Sequence, residues 1–128
     1  MHDSRLSRVV RIVGLLFVLP LTPTPPVQAQ EQVRYGDAAG QVADLYTAGS
    51  GTPVLVLLTG GGWIRDDTAH ARPWASTVQA AGVTVLVPHY TLGAPEAARA
   101  DIVQAVSFAA QLPSRGRLTL GGHSAGAR

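Results

Sequence analysis

Cysteine is absent from the 128 residues, which excludes a disulfide framework and any thiolate-bound metal. Lysine is absent as well, so every basic side chain is an arginine, a bias we read as base composition, not function. No apolar run reaches the roughly 20 residues of a membrane-spanning helix. No internal repeat is visible, and no His, Asp or Glu spacing suggests a metal site, so no metal and no cofactor are expected. A glycine cluster at Gly60-Gly61-Gly62 does not extend to a dinucleotide-binding loop, because Arg65 stands where the pattern requires a further glycine.

What is present begins with a segment of different character. Arg5, Arg8 and Arg11 precede a short apolar run, Ile12–Leu21, interrupted by Gly14 and Pro20. A Pro/Thr stretch follows, then Val27-Gln28-Ala29, with small residues placed as a signal peptidase requires. The expectation is a signal peptide over residues 1–29, cleavage after Ala29, export, and no stable membrane anchor afterwards. The sequence pI of about 9.7 owes much to that segment. Residues 30–128 hold seven arginines and seven acidic residues, and no basic stripe, so nucleic acid is a poor candidate partner.

Residues 30–128 read as strands alternating with helices in one domain. Tyr35–Gly36 and Gln41–Tyr46 suggest a hairpin. The apolar run 53–58 is long enough for a buried strand and too short for a helix. Ala71, Trp74, Ala75 and Val78 recur at helical spacing, with Pro73 suited to a first turn and Gly82 to a C-terminal cap. Val83–Val87 is a second buried strand. Pro95 opens a second helix, with Ile102, Ala105, Val106, Ala109 and Leu112 on one face. Leu118–Leu120 is a third strand. The order predicts an α/β fold, a mostly parallel sheet with helices on both faces.

Two motifs carry chemistry. Gly122-His123-Ser124-Ala125-Gly126 fits Gly-x-Ser-x-Gly directly after a strand. A strand-to-helix turn that tight leaves no room for side chains beside the serine, and small neighbours let it stand exposed at the tip. Thr59-Gly60-Gly61-Gly62-Trp63 follows the strand 53–58. Consecutive glycines there can turn amide N–H groups into a cavity, as an oxyanion-binding loop requires.

Together with Tyr90-Thr91-Leu92-Gly93-Ala94-Pro95-Glu96 and Asp101, these stretches resemble the hormone-sensitive-lipase-like and formamidase-like esterases of the α/β-hydrolase superfamily. The resemblance covers about residues 33–128. It implies Ser124 as nucleophile, the amides of Gly61, Gly62 and Ala125 as oxyanion hole, and Trp63 as a wall of the acyl pocket. It implies a small-molecule ester or amide as substrate: a carboxylesterase, with an arylformamidase-like amide hydrolase as the alternative. Thr59 replaces the family's histidine, Thr91 replaces its arginine, and one residue is inserted before Pro95. The family's acid and histidine follow the serine in the chain. The sequence therefore reads as an α/β-hydrolase truncated after the nucleophile elbow, inactive by itself, or as a non-catalytic remnant or binding module of that fold. His70, His89 and His123 are expected to be structural, with His123 pointing away from the catalytic face into the scaffold.

Overall fold

The structure, a computed structural model, describes residues 30–113 and 116–128. The signal-peptide expectation for residues 1–29 lies outside the described residues. Five strands form one sheet: β1 (Glu31–Arg34), β2 (Val42–Tyr46), β3 (Val54–Leu58), β4 (Thr84–Pro88) and β5 (Leu118–Gly122). Their order is β1-β2-β4-β3-β5. β1 and β2 pair antiparallel, as do β2 and β4, whereas β3 runs parallel to both β4 and β5. Two helices make the crossovers, α1 (Thr68–Ala80) and α2 (Pro95–Ala110).

The alternation of side chains along each strand divides the core into two layers. On one face, Val54, Val56 and Leu58 of β3 and Leu86 of β4 pack with Ala43 and Leu45 against Ala105 and Ala109 of α2. On the other, Val85 and Val87 pack with Tyr46 against Ala71 and Ala75 of α1. Alanine at the helix contact positions brings both helices close to the sheet, and β-branched residues suit strands covered on both faces.

Several expectations need correction. The first strand lies at Glu31–Arg34, not at Tyr35–Gly36. Tyr35 instead leaves the strand, is buried, and its hydroxyl donates to the carbonyl of His89. α1 begins at Thr68, so Pro73 lies inside it and not in its first turn. Trp74 does not join the buried stripe: it is 73% exposed, while Ala71 and Ala75 are buried. α2 starts at Pro95 as expected, and Gly82 follows α1 with φ +90°, the left-handed conformation of a helix stop.

β5 is the outer strand of the described sheet. Leu118 and Leu120 lie opposite Val54 and Val56, on the α2 side, and are 41% and 57% exposed.

Candidate active site

The parallel strands β3, β4 and β5 all deliver their C-terminal ends to one rim of the sheet, and the loops leaving them make the site. β5 runs into a single turn of 3₁₀ helix, Ser124–Ala127. Ser124 sits there at φ +55°, a left-handed conformation that few non-glycine residues adopt. The two flanking glycines are required by space. A Cβ on Gly122 would lie 2.1 Å from the carbonyl oxygen of Gly126. A Cβ on Gly126 would lie 2.5 Å from the carbonyl oxygen of Leu58. The turn is thus folded back against the end of β3, and the amide of His123 donates to Leu58 O at 3.1 Å. Ser124 is left exposed at the tip.

The loop leaving β3 passes beside it. A Cβ on Gly60 would come within 3.1 Å of the Ser124 Cβ. Gly61, Gly62 and Trp63 then take φ values of +108°, +65° and +68° in succession. At Trp63 the left-handed conformation costs roughly 1–2 kcal/mol, as for any residue bearing a Cβ. Three contacts from the segment after β4 hold the loop in that path. The Tyr90 hydroxyl donates to Thr59 O at 2.7 Å and approaches Gly60 O at 3.3 Å. The amide of Gly93 donates to Trp63 O at 2.7 Å. The rings of Trp63 and Tyr90 pack with centroids 5.5 Å apart. Burial raises the Tyr90 phenol above its ordinary value, with Asp66 and Asp67 adding to the rise and the bond to Thr59 opposing it.

Gly60, Gly61, Gly62, Ile64, Arg65, Asp67, His123 and Ser124 line an open hollow of about 630 Å³. The structure therefore brings Ser124, Gly61 and Gly62 together around one space, and places Ala125, buried, directly after the serine. Trp63 is not among the residues lining that hollow; its ring lies against Tyr90. His123 departs from expectation. Its side chain is exposed and its Nδ1 lies 3.4 Å from the Cβ position of Gly60, so it borders the hollow. No described element packs over that side of β5 to enclose it.

His70 and His89 are both paired with carboxylates. His70 Nδ1 lies 2.7 Å from Asp67 Oδ1, on the exposed first turn of α1. His89 Nδ1 lies 2.7 Å from Asp66 Oδ2. Burial pushes the Asp66 carboxyl up, but hydrogen bonds with Thr68 and His89 outweigh it and hold the group below the usual carboxylate range. Asp101 behaves alike: hydrogen bonds from Thr91 and Gln41 outweigh its desolvation and lower it. Its Oδ2 accepts from the amide and hydroxyl of Thr91, so the residue standing in place of an arginine is tied to α2. Among the described residues no hydrogen bond joins Ser124 to an imidazole, and no group of three or more potential ligands could hold a metal ion.

The strand order, the two right-placed crossovers and the strained serine turn define an α/β-hydrolase fold. No family model matches the chain, and no curated protein matches it in sequence. Solved structures do. The chain is similar to esterase B from Lactobacillus rhamnosis, with 25% identity and a TM-score of 0.65 over 76% of this chain and 36% of that one. It is similar to a putative thioesterase from Silicibacter sp., with 30% identity and a TM-score of 0.62 over 73% of this chain and 37% of that one. It shares its fold with esterase 2 of the planctomycete Thermogutta terrifontis, at 21% identity and a TM-score of 0.66 over 84% of this chain and 44% of that one. The chain thus spans 36–44% of the length of these structures.

Proposed function

We propose that this chain carries the nucleophile and the oxyanion loop of a serine hydrolase acting on small carboxylic esters. The observation that supports it most is Ser124, held at φ +55° on an exposed turn beside the glycine loop. In this reading Ser124 attacks the acyl carbon, and the amides of Gly61, Gly62 and Ala125 stabilise the oxygen as it becomes negative. A thioester is the second substrate class, favoured by the 30% identity to the putative thioesterase.

A serine hydroxyl needs an adjacent base, itself oriented by an acid. Neither His70 nor His89 is bonded to Ser124; each faces a carboxylate instead. Among the described residues no imidazole is bonded to Ser124, and we therefore propose that the 128-residue chain alone turns over poorly. Export, with cleavage after Ala29 and residues 30–128 as the domain released, belongs to the same proposal. N-terminal sequencing of the protein secreted from a bacterial host checks it, and an intact Ile12–Leu21 segment would refute it.

Paraoxon phosphorylates the Thermogutta esterase 2, and it is the probe for Ser124 here. Without a bonded base Ser124 should react slowly, through the oxyanion loop alone, so over prolonged incubation with excess paraoxon the chain should gain one diethyl phosphoryl group, mapped by mass spectrometry to the Ser124 peptide, above a Ser124→Ala control. Labelling absent at Ser124, or equal in the control, would overturn the reading. Hydrolysis of p-nitrophenyl butyrate by the chain should stay near that control.

A further inference from the structure

The side chain of His89 has a setting that the serine hydrolase reading does not use. His89 directly follows β4, and its backbone is fixed on both sides: its amide donates to Val42 O at 2.9 Å, and its carbonyl accepts from the Tyr35 hydroxyl. The ring therefore cannot drift with a loose loop. Its Nδ1 lies 2.7 Å from Asp66 Oδ2, at the far end of the glycine loop. Its Nε2 points the other way, 3.6 Å from Oδ1 of Asp44 on β2. That nitrogen is buried without a hydrogen-bond partner, and Asp44 itself is 7% exposed. Asp66 also reaches forward, its Oδ1 accepting the amide of Thr68, the first residue of α1, at 2.9 Å.

The chemistry of the neighbours orients the ring. A carboxylate only accepts, so the short contact to Asp66 places a proton on Nδ1. Nε2 then faces the buried Asp44 carboxylate, 3.6 Å away and beyond hydrogen-bond distance. Arg65 and Tyr90 line the same small cavity, and Arg72 of α1 lies near Tyr46, within reach of the Asp44 charge.

Consecutive residues thus grip the two ends of one loop. Tyr90 holds its start at Thr59 and Gly60; His89 holds its end at Asp66. We propose that His89 is a positioning residue whose ring, hydrogen-bonded to Asp66 and seated beside Asp44, locks the glycine loop 59–67 beside Ser124. It touches neither substrate nor serine. Its consequence for catalysis rests on the serine hydrolase reading; its geometry does not.

The test is hydrogen exchange with mass spectrometry on the full chain. In His89→Phe, which fills the space without a donor, peptides covering 59–67 should lose protection several-fold. Peptides covering β4 should change little and serve as the internal standard. In His89→Gln, whose side-chain amide can still donate to Asp66, loop protection should be largely restored. A ring that only filled space would be replaced by phenylalanine without loss. Unchanged loop protection in His89→Phe would overturn the proposal, as would equal loss in both variants or equal loss of protection in β4. Failure of paraoxon labelling with the loop profiles intact would strike the hydrolase reading and leave this one standing.

Discussion

Ser124 owes its exposure to atoms that are not there. At Gly126 a methyl group would meet the carbonyl oxygens of Leu58 and Thr59 at 2.5 and 2.8 Å, both on backbone that cannot move aside. Gly126→Ala is expected to destabilise the chain by roughly 1–3 kcal/mol, as overpacking commonly does. The midpoint of urea unfolding measures it, and paraoxon labelling of Ser124 should fall in the same variant. Asp66 and Asp101 make a second prediction. Both carboxyls are held below the ordinary value of about 3.9 in the folded chain. A carboxylate so held contributes stability above its unfolded pKa and loses it as pH falls through the lower folded value. Stability should therefore decline below about pH 4. The Asp66→Asn, Asp101→Asn double variant should show a shallower acid limb in the same unfolding series, and an unchanged slope would refute the assignment.

The segment after β4 is the element that organises the site, because Tyr90, Gly93 and His89 each hold a different part of the glycine loop. Tyr90→Phe removes a hydroxyl bonded to the carbonyl of buried Thr59 and leaves that oxygen unpaired. The expected cost is about 1–3 kcal/mol. Slower phosphorylation of Ser124 by paraoxon should accompany it, and unchanged labelling would show that the hydroxyl does not order the loop. At this scale the sequence was legible where one periodicity governs. The apolar runs in β3 and β4 and the Ala105–Ala109 stripe of α2 each report burial directly. Trp74 misled, because helical spacing alone does not tell the centre of a buried stripe from its margin. Tyr35 reads as a strand residue by type, yet serves through a hydroxyl bond across 54 positions. The serine turn and the glycine loop were visible because steric need writes glycine into the chain. The grouping of Asp44, Asp66 and His89 was not: each is an ordinary charged or polar residue, and it takes the pairing of β2 with β4 to bring Asp44 to His89 and the path of the loop before α1 to bring Asp66. His123 was misplaced for a related reason, since what covers a strand cannot be seen along that strand.

Across its described residues the molecule is a sheet covered well in its middle and open at β5. Leu118–Gly122 carries no charge and no proline, and presents backbone donors and acceptors next to exposed Leu118 and Leu120. Such an edge is a template for another strand. The chain should self-associate as concentration rises, and Leu120→Lys should suppress this, as followed by analytical ultracentrifugation. A monomer at all concentrations would refute the expectation. The exposed Trp74 has a separate use. The two tryptophans occupy opposite environments, one packed on Tyr90 inside the glycine loop and the other in solvent. In Trp74→Phe the remaining indole fluorescence comes from Trp63 alone, so emission wavelength and acrylamide quenching become an optical gauge of the loop beside Ser124, readable at micromolar concentration.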